Sequence, residues 1–166
     1  MADKIPVVSE KIYKFDGVYN IKDTYTFILD YVENSMYYDI TEKEYEEKNN
    51  PPSYKIVSKL VFEKPLNDDY GIFIKCTLDL SGKDVEVEIN GVKKIMNQGT
   101  GKITLNSYIE PKSDVDPEKS PFGHFLNRIY EKFFGPDEKE KAMVQSAIDV
   151  GEIIDRFKQY MNSITK

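Results

Sequence analysis

The sequence predicts an α+β domain: an antiparallel β-meander of about six strands, covered by helices of which the last is long. Three observations carry this. Tyr70, Ile72, Ile74, Cys76, Leu78 and Leu80 alternate with Gly71, Phe73, Lys75, Thr77 and Asp79, the period of a strand with one face on a core. Turn-forming clusters fall at Asn67-Asp68-Asp69, Ser81-Gly82-Lys83, Asn90-Gly91 and Asn97 to Gly101. Near the C-terminus, Met143, Ala147, Val150, Ile154, Phe157, Met161 and Ile164 recur at steps of four and three, one face of an α-helix.

Taken in order, Lys11 to Tyr19 alternates through Tyr13 and Phe15 and predicts a first strand. Ile21, Tyr25, Ile28, Leu29, Val32 and Met36 lie on one helical face, with Asn20 or Asp23 as the cap. Tyr38 to Lys48 is polar and predicts an exposed strand, ended by the Asn49-Asn50-Pro51-Pro52 loop, where two prolines remove ladder donors. Strands follow at Tyr54–Glu63, Tyr70–Leu80, Val85–Ile89 and Ile103–Ile109. Asn90-Gly91 is the strongest hairpin signal, since a type I′ turn needs positive φ at both positions. Lys112 to Ser120 is a charged loop. Ser120-Pro121 then opens a helix to Phe134, which Gly135-Pro136 stops. Asp137 and Glu140 have capping-box spacing at the start of the last helix, which runs to about Ser163. Gly151 in its middle suggests a bend or a close backbone approach.

A chain of 166 residues with 40% hydrophobic and 31% charged residues is expected to fold as one domain, 1–166, with its own core. The net charge of −6 disfavours a nucleic-acid partner. Arg128 and Arg156 are the only arginines, which weakens any phosphate-reading role. The single cysteine, Cys76, excludes an intrachain disulfide, and with His124 as the single histidine it leaves too few ligands for a Cys/His zinc site. No apolar run is long enough for a signal peptide or a membrane span, so a cytoplasmic location is expected.

One strand, a helix, a meander and a long C-terminal helix resemble the helix-grip fold of the START/Bet v 1-like superfamily, SRPBCC. That resemblance is one of element order over most of the chain. It implies a curved sheet wrapped around the last helix, with a cavity between them. The chain departs from it in having one helix after the first strand, fewer strands and an extra helix at Pro121–Phe134. The overall texture is also similar to that of archaeal proteins.

On this reading the ligand wall is Tyr70, Ile72, Ile74, Cys76, Leu105, Phe157 and Met161, apolar residues that either enclose a hydrophobic small molecule or lipid or fill the core. The expected function is binding without catalysis, and no cofactor is implied. A second candidate is the aromatic helix, where Phe122, Phe125, Ile129 and Phe133 offer a surface for a protein partner or a membrane face, or else pack on the sheet. A third is Glu44-Tyr45-Glu46-Glu47-Lys48. It resembles the Glu-x-Glu-x-Lys signature of triphosphate tunnel enzymes, in which the carboxylates would hold Mg²⁺, but is equally an ordinary solvated strand. His124 reads as a surface histidine, Cys76 as an inert core thiol, and Asp114 with Asp116 lacks a following calcium-loop pattern.

Overall fold

A computed structural model describes residues 4–111 and 135–164. The predicted helix Pro121–Phe134, with Phe122, Phe125, Ile129 and Phe133, lies outside the described residues, as do His124, Asp114 and Asp116. Among the described residues the chain is α+β: a five-stranded antiparallel sheet and two α-helices. Strand β1 is Ile5–Tyr19 and helix α1 is Ile21–Asp30, continued by a π-helical turn at Tyr31–Ser35. Strands β2 (Asp39–Asn50), β3 (Ser53–Pro65), β4 (Tyr70–Ile89) and β5 (Val92–Pro111) follow, then helix α2, Gly135–Ile164. The sheet order is β1-β5-β4-β3-β2, so the first strand closes against the last.

Local chemistry accounts for most boundaries. Of the two candidate caps, Asn20 is the one used: its Oδ1 accepts from the Asp23 N–H at 2.9 Å. Asn67 Oδ1 accepts from the N–H groups of Asp69 and Tyr70 at 2.9 and 2.8 Å, closing the β3–β4 turn. Asn90 and Gly91 have φ of 52° and 79°, as a type I′ hairpin requires. Strand β1 starts earlier than its alternation suggests. Register shifts between Pro6 and Val8 and between Val8 and Lys11, with Glu10 at φ 45°, break the period there.

Two predicted turns are absent. Ser81-Gly82-Lys83 and Asn97–Gly101 lie inside β4 and β5, each 20 residues long and paired without a shift from Tyr70↔Pro111 to Ile89↔Val92. The strand count is therefore five rather than about six. The glycines mark a close approach instead of a turn: Gly82 pairs with Gly99, which also pairs with Gly17 of β1. A Cβ on Gly99 would strike the Ser81 carbonyl oxygen and come within 2.6 Å of the Gly82 Cα. Beside this row the Tyr19 hydroxyl donates to the carbonyl oxygens of Ser81 and Thr100, at 3.0 and 2.7 Å, tying β1 to both strands.

The core lies between one face of the sheet and the helices. Ile56, Leu60 and Phe62 of β3, Ile72, Ile74, Cys76, Leu78 and Leu80 of β4, and Ile103, Leu105 and Ile109 of β5 are all buried. Val150, Ile153, Ile154, Phe157 and Met161 of α2 meet them, and Ile21, Ile28 and Val32 seal one end. Burying each large side chain contributes roughly 1.5–3 kcal/mol. The inward face of α2 differs from the predicted stripe in its first half. Ala142, Ser146 and Asp149 are buried there, while Ala147 of the predicted stripe is exposed, as are its apolar neighbours Val144 and Ile148. Gly151 does not sit at a close approach, for a Cβ there would meet nothing within 4 Å.

A candidate site: a groove backed by a buried polar cluster

Six of the seven predicted wall residues, Ile72, Ile74, Cys76, Leu105, Phe157 and Met161, come together as fully buried neighbours in one cluster, with Tyr70 half-buried at its rim. Burial pushes the Cys76 thiol well above its usual range, so it stays protonated. Met161 also takes the Thr24 hydroxyl at 3.9 Å, joining α1 to α2.

Open space lies beside this core. A groove of about 560 Å³ runs between the β3–β4 turn and the first half of α2. Leu66 and Val144 supply apolar wall, and Asn67, Glu138, Lys141 and Gln145 supply polar groups. Asn67 Nδ2 donates to Glu138 Oε2 at 2.9 Å, and Lys141 pairs with Glu138 at 3.7 Å. The turn and the helix are thus held together at the groove's polar end.

Behind Gln145 lies a buried polar cluster of Tyr38, Lys64 and Asp149. Gln145 Nε2 donates to Asp149 Oδ1 at 2.8 Å, and the Tyr38 hydroxyl donates to Asp149 Oδ2 at 2.6 Å. Lys64 Nζ lies 3.4 Å from the same Oδ2, donates to the Met36 carbonyl at 3.1 Å and sits 4.5 Å from the Tyr38 ring centre. Asp149 is 3% exposed. Three donors converge on this deep side chain and satisfy both of its oxygens. Burial, then the bond to Asp149, raises the Tyr38 phenol far above its ordinary value, so it acts as a donor and not as a base.

The backbone places Tyr38 by an unusual route. The Met36 N–H bonds the Tyr31 carbonyl across the π-helical turn, and Tyr37 then takes a left-handed conformation at φ 63°. That turns Tyr38 inward while Tyr37 faces solvent. A non-glycine residue there costs on the order of 1–3 kcal/mol, which the buried Tyr38 bond helps to offset.

A second space of about 570 Å³ lies at the other end of α2, lined by Val18, Val87, Ile89, Met96 and Ile164. Its roof is the distal part of the β4–β5 hairpin. Pairing with β3 stops at Lys83 and pairing with β1 stops at Asn97, so residues beyond these form a two-stranded arm. Val92 and Ile95 on this arm are 56% and 69% exposed.

Glu44, Glu46 and Lys48 do share one side of edge strand β2. All three are exposed; Glu46 pairs with Lys48 at 3.3 Å and Glu44 with Lys59 at 3.4 Å. Among the described residues no three His, Cys, Asp or Glu side chains are grouped to hold a metal, and no helix is long and apolar enough to cross a membrane.

Neither a protein-family model nor a curated protein matches this chain. The functional reading therefore rests on the geometry. Tyr38, Lys64, Gln145 and Asp149 were missed from sequence because apolar periodicity selects apolar residues. The signal that could have found them is Asp149 itself, an acid placed seven residues after Ala142 and four before Ile153, on the face that is buried.

Proposed function

We propose that this protein binds a hydrophobic small molecule or lipid without catalysis, holding it against the sheet with its C-terminal helix in the helix-grip manner. The element order supports this reading: β1 lies beside the last strand, α1 follows β1, and α2 packs across β4, β5 and β1. The observation that carries it is the groove of about 560 Å³ along the first half of α2, within the size range of small-molecule sites. Leu66 and Val144 would take the apolar part of the ligand. Glu138, Lys141 and Gln145 would orient its polar end. The expected wall of Ile72, Ile74, Cys76, Leu105, Phe157 and Met161 is fully buried core and is not part of this groove's lining, so a ligand reaching it would have to part α2 from the sheet.

The test is native mass spectrometry of the protein after exposure to a mixed lipid and metabolite extract. Wild type is expected to retain a small molecule. Val144→Trp and Leu66→Trp, which fill the groove from opposite walls, are expected to lose it while keeping their thermal unfolding midpoint. No retained mass in wild type, or undiminished retention in both variants, overturns the proposal.

A further inference from the structure

The buried cluster behind Gln145 fixes which end of that amide the groove presents. The Tyr38 hydroxyl donates to Asp149 Oδ2 at 2.6 Å, and Lys64 Nζ lies 3.4 Å from the same oxygen. Both are donors, so Oδ2 is committed to them and Oδ1 is left for Gln145. Gln145 Nε2 donates to it at 2.8 Å. An amide has one donor end and one acceptor end. With Nε2 held by a side chain that is 3% exposed, Oε1 is the end left over. Oε1 makes no hydrogen bond among the described residues, and Gln145 lines the groove.

The other polar groups of the groove are either committed or donors. Asn67 Oδ1 accepts from the N–H groups of Asp69 and Tyr70, and Asn67 Nδ2 donates to Glu138 Oε2. Glu138 Oε1 has Lys141 Nζ at 3.7 Å. Lys141 lies one helical turn before Gln145 on the same face of α2, is exposed, and can only donate. Glu140 stands well round the helix from Gln145. A head group placed at Gln145 therefore meets a carbonyl acceptor and, one turn away, an ammonium donor. A hydroxyl answers both, donating to Oε1 and accepting from Lys141. A carboxylate sets its lone pairs against those of Oε1, and an ammonium faces Lys141. Leu66 and Val144 supply the apolar wall for the attached chain.

We propose that the groove takes an uncharged amphiphile with a hydroxyl head, a long-chain alcohol in the simplest case, and that Asp149 sets this preference by orienting the Gln145 amide. The inference rests on the groove being a ligand site. Asp149 is a positioning residue in it: it lies in the core, and it acts on the ligand only through Gln145.

Decan-1-ol, decanoate and decylammonium are the probes, equal in chain length and different in head. Each is titrated, below its aggregation threshold, into protein carrying ¹³C-labelled Leu and Val methyl groups. The Leu66 and Val144 signals are followed. Decan-1-ol is expected to shift both saturably, and the two charged probes to bind on the order of tenfold more weakly. Asp149→Asn is the deciding variant. Tyr38 and Lys64 hold its carbonyl oxygen at the Oδ2 position, so its amide N–H groups face Gln145. The Gln145 amide must then turn over and present Nε2 to the groove. Decanoate is expected to gain several-fold on decan-1-ol, whereas a merely structural role for Asp149 would weaken all probes alike. Gln145→Met, which has neither amide end, is expected to abolish the preference for decan-1-ol over decanoate and serves where Asp149→Asn folds poorly. Two results overturn the inference and leave the groove a ligand site: a charged probe binding wild type as tightly as decan-1-ol, or a decanoate-to-decanol ratio that both variants leave unchanged. No methyl shift with any probe removes the groove reading itself, and this inference with it.

Discussion

At the scale of single residues, the side chain with the most at stake is Asp149. Its two oxygens take Tyr38, Gln145 and Lys64 inside a core where water does not compete. Replacing it with Ala strands a buried phenol and leaves Lys64 without its carboxylate. Asp149→Ala is expected to cost about 3 kcal/mol in urea unfolding. Tyr38→Phe, which removes one donor and leaves two, is expected to cost about 1 kcal/mol. Exchanging the three buried members, as Asp149→Leu with Tyr38→Phe and Lys64→Met, should recover most of the loss, since apolar groups of similar volume need no partners and Gln145 stays at the groove, where water can take its amide. A single Asp149→Ala variant as stable as wild type would remove the cluster from any account of the fold. Periodicity pointed to Val150, Ile154, Phe157 and Met161 correctly because burial of apolar side chains is what periodicity measures. It passed over Asp149 because a buried acid depends on partners on β3 and after α1, which no local pattern displays.

At the scale of elements, two glycines give opposite expectations for one substitution. Gly151 lies within α2 with open space where a Cβ would go, so Gly151→Ala is expected to stabilise by about 1 kcal/mol through helix propensity alone. Gly99 lies where β5 meets β4, and its Cβ would meet backbone atoms that cannot swing aside. Gly99→Ala is expected to destabilise by about 1–3 kcal/mol, or to break the pairing at that row. Urea unfolding of the two variants beside wild type checks both signs, and a shared sign would contradict the geometry. The same row explains why two turns were expected where none exists. Gly, Ser and Asn mark turns because they relax backbone constraints, and a tight crossing of two long strands asks for the same relaxation. Removing the turn has a further effect. Leu80 and Val85 are an odd number of residues apart on one strand, so Val85, Val87 and Ile89 belong to the alternate set of side chains from Ile72–Leu80. The hydrophobic pattern was legible in both halves; which side each half faces depended on whether the chain turned between them.

At the scale of the whole molecule, tyrosine dominates the response to alkali. Burial raises Tyr19 and Tyr38 above the value of about 10 they have in an unfolded chain. Burial and the Glu47 carboxylate push Tyr45 up to about 12. A raised pKa means that the folded state holds the proton more tightly. The associated stability is therefore complete below about pH 10 and is lost as pH climbs toward the folded values. The urea midpoint should be level through neutral pH and fall steeply above about pH 10, with phenolate absorbance from Tyr19 and Tyr38 appearing together with unfolding. Tyr38→Phe should make that fall shallower. A midpoint unchanged between about pH 9 and 11.5 would show that these phenols are not protected as the structure has them.

The sequence by itself determined the α+β class, the helix after the first strand, the long C-terminal helix, a cap at Asn20 or Asp23, the Asn90-Gly91 hairpin and most of the apolar residues of the core. Each of these follows from interactions within a few residues or from the period of one element. Tertiary structure alone decided that β4 and β5 run through their glycines and that α2 turns Ser146 and Asp149 inward. It also decided that the core wall is packed and that open space lies at the two ends of α2. Those features depend on which groups meet across the sheet, between residues as far apart in the chain as Tyr38 and Asp149. Volume left over between elements, and partners for a buried charge, are properties of such meetings and of no single segment.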